Sequence, residues 1–164
     1  MNKNAQRTTK PFLVKQDDLQ AEPEVTSDWN HHHHITPGTY PAYVRKSKVY
    51  RDPMFQRWSC LIVFDVLETD SPTSTVIAEL AWFLNLGKSD KPHAGRRGKY
   101  WRAWILANNG RGPRRSDRMA PIIFRNRYCT VLVRDVARDF HGIASSLVYS
   151  VVETVVEWKT GGQL

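Results

Sequence analysis

Residues 56–68 read QRWSCLIVFDVLE, and the fold turns on how this stretch is read. Trp58, Cys60, Ile62, Phe64 and Val66 fall on alternate positions. Alternation is the period of an extended chain, because successive side chains of a strand leave on opposite faces. A helix would instead group its apolar residues three and four apart. The stretch therefore predicts a strand with one apolar face turned to a core.

Working upstream, TPG at 36–38 signals a turn, and TYPAYVRKSKVY (39–50) alternates again. Tyr40, Ala42 and Val44 share one face; Tyr43, Arg45 and Ser47 share the other. RDPM then turns the chain into 56–68. Downstream, VIAELAWFLNLG (76–87) fits helix or strand by periodicity, and the preceding strands with the closing Gly87 favour strand. The period changes in GKYWRAWILANN. Tyr100 and Trp104, and Trp101 and Ile105, are four apart, and Asn109-Gly110 is a helix stop. A short amphipathic helix is expected from near Lys99 to Asn109, anchored by Tyr100, Trp101 and Trp104. Residues 127–139 and 147–158 complete five strands. In the last, Tyr149, Val151 and Val155 are expected on one face with Glu153 and Glu157, opposite Val148, Val152, Val156 and Trp158.

Three strands, a helix and two strands predict an all-β fold: a five-stranded, OB-fold-like Greek-key barrel with its helix between strands 3 and 4. An open meander with a packed helix has the same order. The barrel is favoured because closure hides edge strands. The domain is expected over 37–158, with a polar tail at 1–36 and a frayed end at 159–164. The tail holds four consecutive histidines at 31–34, which lack the spacing of zinc ligands and read as a solvated linker.

The net charge of +8 in 164 residues favours a polyanionic partner. It is concentrated: 88–127 holds twelve Lys/Arg and two Asp, a local net of +10. Aromatic residues interleave with it. A groove of cations and rings suits single-stranded nucleic acid, because phosphates pair with the cations and any base can stack on a ring. The candidate binding residues are Tyr43, Arg45, Lys46, Lys48, Tyr50, Phe55 and Arg57 around the first strand and turn. From the basic segment come Arg96, Arg97, Lys99, Arg102, Arg111, Arg114, Arg115 and Arg118, expected to stay outside while the helix aromatics hold the element.

Other classes find less. No GxxxxGK[ST] or GxGxxG is present. Asp65, Glu68 and Asp70, or Asp135 and Asp139, could be assembled into a metal nuclease, but no spacing fixes them on one site. His93 and His141 have no evident nucleophile beside them. Neither catalytic residues, metal nor cofactor is expected. Cys60 and Cys129 sit in apolar runs without metal-ligand spacing and read as buried thiols. No run approaches the ~20 apolar residues of a membrane span, and the N-terminus lacks a signal-peptide core. The expectation is a cytoplasmic protein that can form a homo-oligomer.

The span 37–158 resembles OB-fold single-stranded-DNA-binding proteins of phages and bacterial mobile elements. The resemblance rests on PGTYPAYV, WSCLIVFDVLE, FLNLG and YCTVLVRDV…LVYSVVETV. Such proteins tend to open with a G-x-Y-x-A strand and close with a Y-x-V-x-V…Y-S-x-V pair. It implies single-stranded DNA as ligand and a part in replication, recombination or transfer of an element. The sequence lacks the Gly/Gln-rich tail with an acidic, apolar tip through which housekeeping single-strand binders recruit partners. The competing reading is a protein-interaction or regulatory module of a mobile element, with no nucleic-acid ligand, whose basic face meets an acidic protein.

Overall fold

In a computed structural model, described for residues 33–71, 73–115, 118–138, 142 and 144–160, the chain forms one antiparallel sheet and one helix. The strands are β1 (Gly38–Asp52), β2 (Arg57–Leu67), β3 (Val76–Asn85), β4 (Tyr128–Arg138) and β5 (Ala144–Trp158). The helix, α1 (Lys99–Ala107), lies between β3 and β4, and a 3-10 turn (Pro121–Phe124) follows it. The class is all-β, with strand order β3-β2-β1-β4-β5. The first four strands thus lie in Greek-key order, β4 beside β1.

β2 carries out its alternation without interruption. Cys60, Ile62, Phe64 and Val66 are completely buried on the core side. Ala42, Val44, Leu80, Leu84 and Val131 join them in the same cluster. Trp58 packs half-buried at its margin, its Nε1 donating to the Ser89 carbonyl at 3.1 Å. Both thiols are buried, and burial pushes Cys129 up to about 12 and Cys60 further still. The nucleophilic thiolate is therefore scarce at neutral pH.

β1 departs from strict alternation. Val44 pairs with Phe64 and Lys46 with Val63, so Arg45 is an extra residue, a β-bulge. The bulge turns Ser47 inward, contrary to its expected place beside Tyr43. Ser47 is fully buried, its hydroxyl donating to the Pro121 carbonyl at 2.8 Å. Arg125 closes over it, donating to the Ser47 carbonyl and Oγ.

β5 has two such bulges. Thr130 pairs with Glu157 but Val131 with Val155; Leu132 pairs with Thr154 but Val133 with Val152. The inward series becomes Ser150, Val152, Val155 and Trp158, while Val156 is 53% exposed. Val155 thus belongs with Val152 and Trp158, not with Glu153 and Glu157 as strict alternation predicts.

The sheet curls until its edge strands, β3 and β5, approach within 8 Å, Cα to Cα. Among the described residues no hydrogen-bonded ladder joins those two edges. His33 bridges them instead. His33 accepts the Ser150 amide on its carbonyl and the Glu79 amide on Nδ1, each at 2.9 Å. Ile35 donates its amide to Ser150 Oγ at 3.0 Å, and His34 Nε2 lies 3.2 Å from Asp135 Oδ1. The contacts of the domain therefore reach back to His33.

Helix α1 packs on the core side of the sheet. Tyr100, Ala103, Trp104 and Ala107 are buried in the main cluster, and Trp101 packs half-buried against it. The Tyr100 hydroxyl donates to the Met119 carbonyl at 2.6 Å, and Trp104 Nε1 to Ala120 at 3.2 Å. Past its C-terminus Asn109 and Gly110 have positive φ (55° and 77°), and the Gly110 amide closes on the Ile105 carbonyl. Among the described residues no helix is long and apolar enough to cross a membrane.

Candidate nucleic-acid interface

The face of β1 opposite the core follows from its register. Lys46 stands opposite Val63, Lys48 opposite Leu61 and Tyr50 opposite Ser59; Val63 and Leu61 in turn face Ala81 and Phe83 on β3. Leu61, Val63 and Ala81 are buried although they point away from the core, and Tyr50 packs against them. Lys46 and Lys48 are half-buried beside them, and a lysine so placed can lay its methylene stem on apolar neighbours. Burial, then the nearby Asp52 carboxylate, push the Tyr50 hydroxyl up to about 12. The ring stays neutral over the physiological range.

Tyr43 lies further down the same face, beside Tyr128 of β4. Their ring centroids are 4.9 Å apart at 54°, and the Tyr43 hydroxyl donates to Asn126 Oδ1 at 3.1 Å. At the other end, Asp52 Oδ1 accepts the amides of Met54 and Phe55 and shapes the β1–β2 turn. Arg57 lies over the Phe55 ring at 4.7 Å. Seven positions separate Tyr43 from Tyr50, roughly 20 Å of strand. Rings mark both ends of this row and lysines its middle.

Arg45 is the exception on this face. Its guanidinium pairs with Glu79, and its Nε is 3.8 Å from Asp65 Oδ1. Two carboxylates compete for it with any phosphate.

The sequence candidates divide into two groups. Tyr43, Arg45, Lys46, Lys48 and Tyr50 lie on the outer face of β1, with Phe55 and Arg57 at its turn. Arg96, Arg97, Lys99, Arg102, Arg111, Arg114, Arg115 and Arg118 are all exposed and lie on α1 and its flanking segments. Since α1 packs on the core side and the lysines project from the other, the sheet stands between the groups. Tyr128, Leu61, Val63, Ala81 and Phe83 of the outer face are not among the sequence candidates. Only the β1–β4 and β2–β3 pairings bring them there.

The carboxylates that a nuclease would need disperse. Asp65 turns to Arg45, Asp70 pairs with Lys159, and Asp135 meets His34. Asp139 and His141 lie outside the described residues. Among the described residues no group of three or more His, Cys, Asp or Glu is placed to hold a metal ion. Compared with known protein families and with curated proteins, the chain matches none.

Proposed function

We propose that this protein binds single-stranded nucleic acid, DNA foremost, along the outer face of β1 and its neighbours, and performs no chemistry on it. The observation that carries the reading is the row Tyr43/Tyr128, Lys46, Lys48, Tyr50. It offers stacking surfaces about 20 Å apart with cations between them. Base–ring stacking contributes roughly 1–3 kcal/mol per base without regard to base identity. The lysines add a salt-sensitive phosphate term. Ring stacking and phosphate pairing read no base edge, so binding is sequence-tolerant. By its resemblance to phage and mobile-element binders, the protein serves replication, recombination or transfer of such an element.

The test is titration of labelled single-stranded and duplex oligonucleotides at several salt concentrations, with Mg²⁺ present. Single strands should bind more tightly than duplex, remain uncut, and bind less tightly as salt rises. Equal affinity for duplex, or none for either, defeats the reading.

A further inference from the structure

We infer that the outward side of α1 and the segment following it form a second phosphodiester-binding surface, so that one chain holds two segments of single-stranded nucleic acid at once. The inference rests on the outer-face reading for the first segment and on three observations for the second. The first is position. The buried residues of α1 enter the core cluster that the inward side of the sheet also lines, while Lys46, Lys48 and Tyr50 leave the sheet's other side. A strand lying on the outer face does not reach α1 without wrapping round the sheet.

The second observation is unbalanced charge. Arg96, Arg97, Lys99, Arg102, Arg111 and Arg114 are exposed, and among the described residues no carboxylate is paired with any of them. Arg45, on the outer face, has two. Structural arginines of this chain are occupied: Arg125 holds Ser47, and Arg127 donates to the Ala107 and Ile123 carbonyls. Among the described residues Arg96, Arg97, Lys99, Arg102, Arg111 and Arg114 have no carboxylate partner, and a polyanion complements them.

Third, the element is fixed. Tyr100 and Trp104 tie α1 to Met119 and Ala120. Asn108 Nδ2 donates to the Arg111 carbonyl at 2.9 Å, holding the start of the segment to the helix end. The cations are thus presented from a seated element. One ring, Trp101, lies among them half-buried with Arg96 over it at 5.8 Å. A site with one covered ring recognises backbone phosphate more than bases. It should be more salt-sensitive than the outer face and indifferent to sequence.

The experiment uses the full chain and oligothymidylates of about eight nucleotides, within the 4–16 that such folds cover. Donor- and acceptor-labelled oligomers are mixed with the wild type, with Lys46→Ala/Lys48→Ala, and with Arg96→Gln/Arg97→Gln/Arg102→Gln/Arg114→Gln. The wild type should take two oligomers per chain and bring donor to acceptor. Each variant should take one and lose the energy transfer, with an unchanged urea midpoint. A longer strand labelled at both ends separates the two sources of a second segment: its ends should approach on binding if one strand wraps. Energy transfer between separate short oligomers shows that two strands can be held.

One oligomer per chain in the wild type overturns the second surface. If the lysine variant then fails to bind while the arginine variant binds normally, the outer-face reading stands alone. The reverse pattern overturns both, since the single site would then lie on α1. Polyglutamate that binds the α1 side where oligothymidylate does not assigns that surface to an acidic protein and also overturns the inference.

Discussion

The outer face of β1 and the outward side of α1 are both basic, but they are built in opposite ways. On β1 the cations are few, set at fixed intervals by ladder register, and interspersed with Tyr43, Tyr50 and the apolar strip of Leu61 and Val63. On α1 and its flanking segments the cations are many, and Tyr100 and Trp104 point inward to hold the helix. Under the proposed function, the first would distinguish a strand with exposed bases from one whose bases are paired. The second can attract any polyanion. On that reading, charge density alone, which is highest around α1, points to the less discriminating surface.

The largest effect should come from removing what seats the second surface. Trp104→Ala deletes a ring from the main cluster and should cost about 3–5 kcal/mol in urea unfolding. A loss under 1 kcal/mol would mean that α1 is not seated as described, and the contrast between the regions would collapse. Next, Lys46→Ala/Lys48→Ala should make the plot of log K against log salt shallower by roughly 1.4, at about 0.7 for each phosphate contact on a single strand. An unchanged slope would remove the outer face from the binding surface.

A smaller effect sharpens the comparison through pH. Tyr50 has an ordinary value of 10.0 that folding raises to about 12. A hydroxyl raised by folding contributes stability that is fully present below its unfolded value and is lost as pH rises towards its folded value. Tyr50→Phe should therefore lose less stability than the wild type between about pH 10 and 12. Parallel alkaline curves for the two proteins would count against a buried Tyr50. The smallest change is expected from Glu79→Gln. The Arg45 pair is exposed, so stability should shift by at most about 1 kcal/mol. Affinity for single strands should rise modestly as Arg45 becomes available, and a fall would show that the pair helps to shape the face.

The sheet was largely legible in the sequence because β2 is regular from end to end. The helix was legible because the spacing of Tyr100, Trp104 and Ile105 breaks the alternation around it. What the sequence concealed arises where one residue is added to a ladder. Strict alternation misplaces Ser47 and Val155, since nothing in KSK or VETVVEW announces which residue a bulge will leave unpaired. The outer face was less visible: strict alternation puts Tyr43 and the lysines of one strand on opposite sides, and only the bulge at Arg45 unites them, while Tyr128 lies 85 positions on from Tyr43. The seam at His33 was invisible for a different reason. A histidine whose carbonyl and ring nitrogen each accept a backbone amide carries no spacing signature, and the run of four reads as solvated chain.

The bulge at Arg45 also changes what kind of genetic accident this strand tolerates. Losing one codon inside a strand ordinarily inverts every later side chain, sending the core outward and the surface in. Here the supernumerary residue is Arg45 itself. Without it, Val44 and Lys46 would become neighbours opposite Phe64 and Val63, the partners they already have. The single-codon deletion would restore a regular ladder, keep Ser47 inside, and leave Lys46, Lys48 and Tyr50 facing out. Length variation in β1 is therefore expected to concentrate at this one position, where a deletion removes a charge and its two carboxylate partners' counterion but does not scramble the faces of the strand.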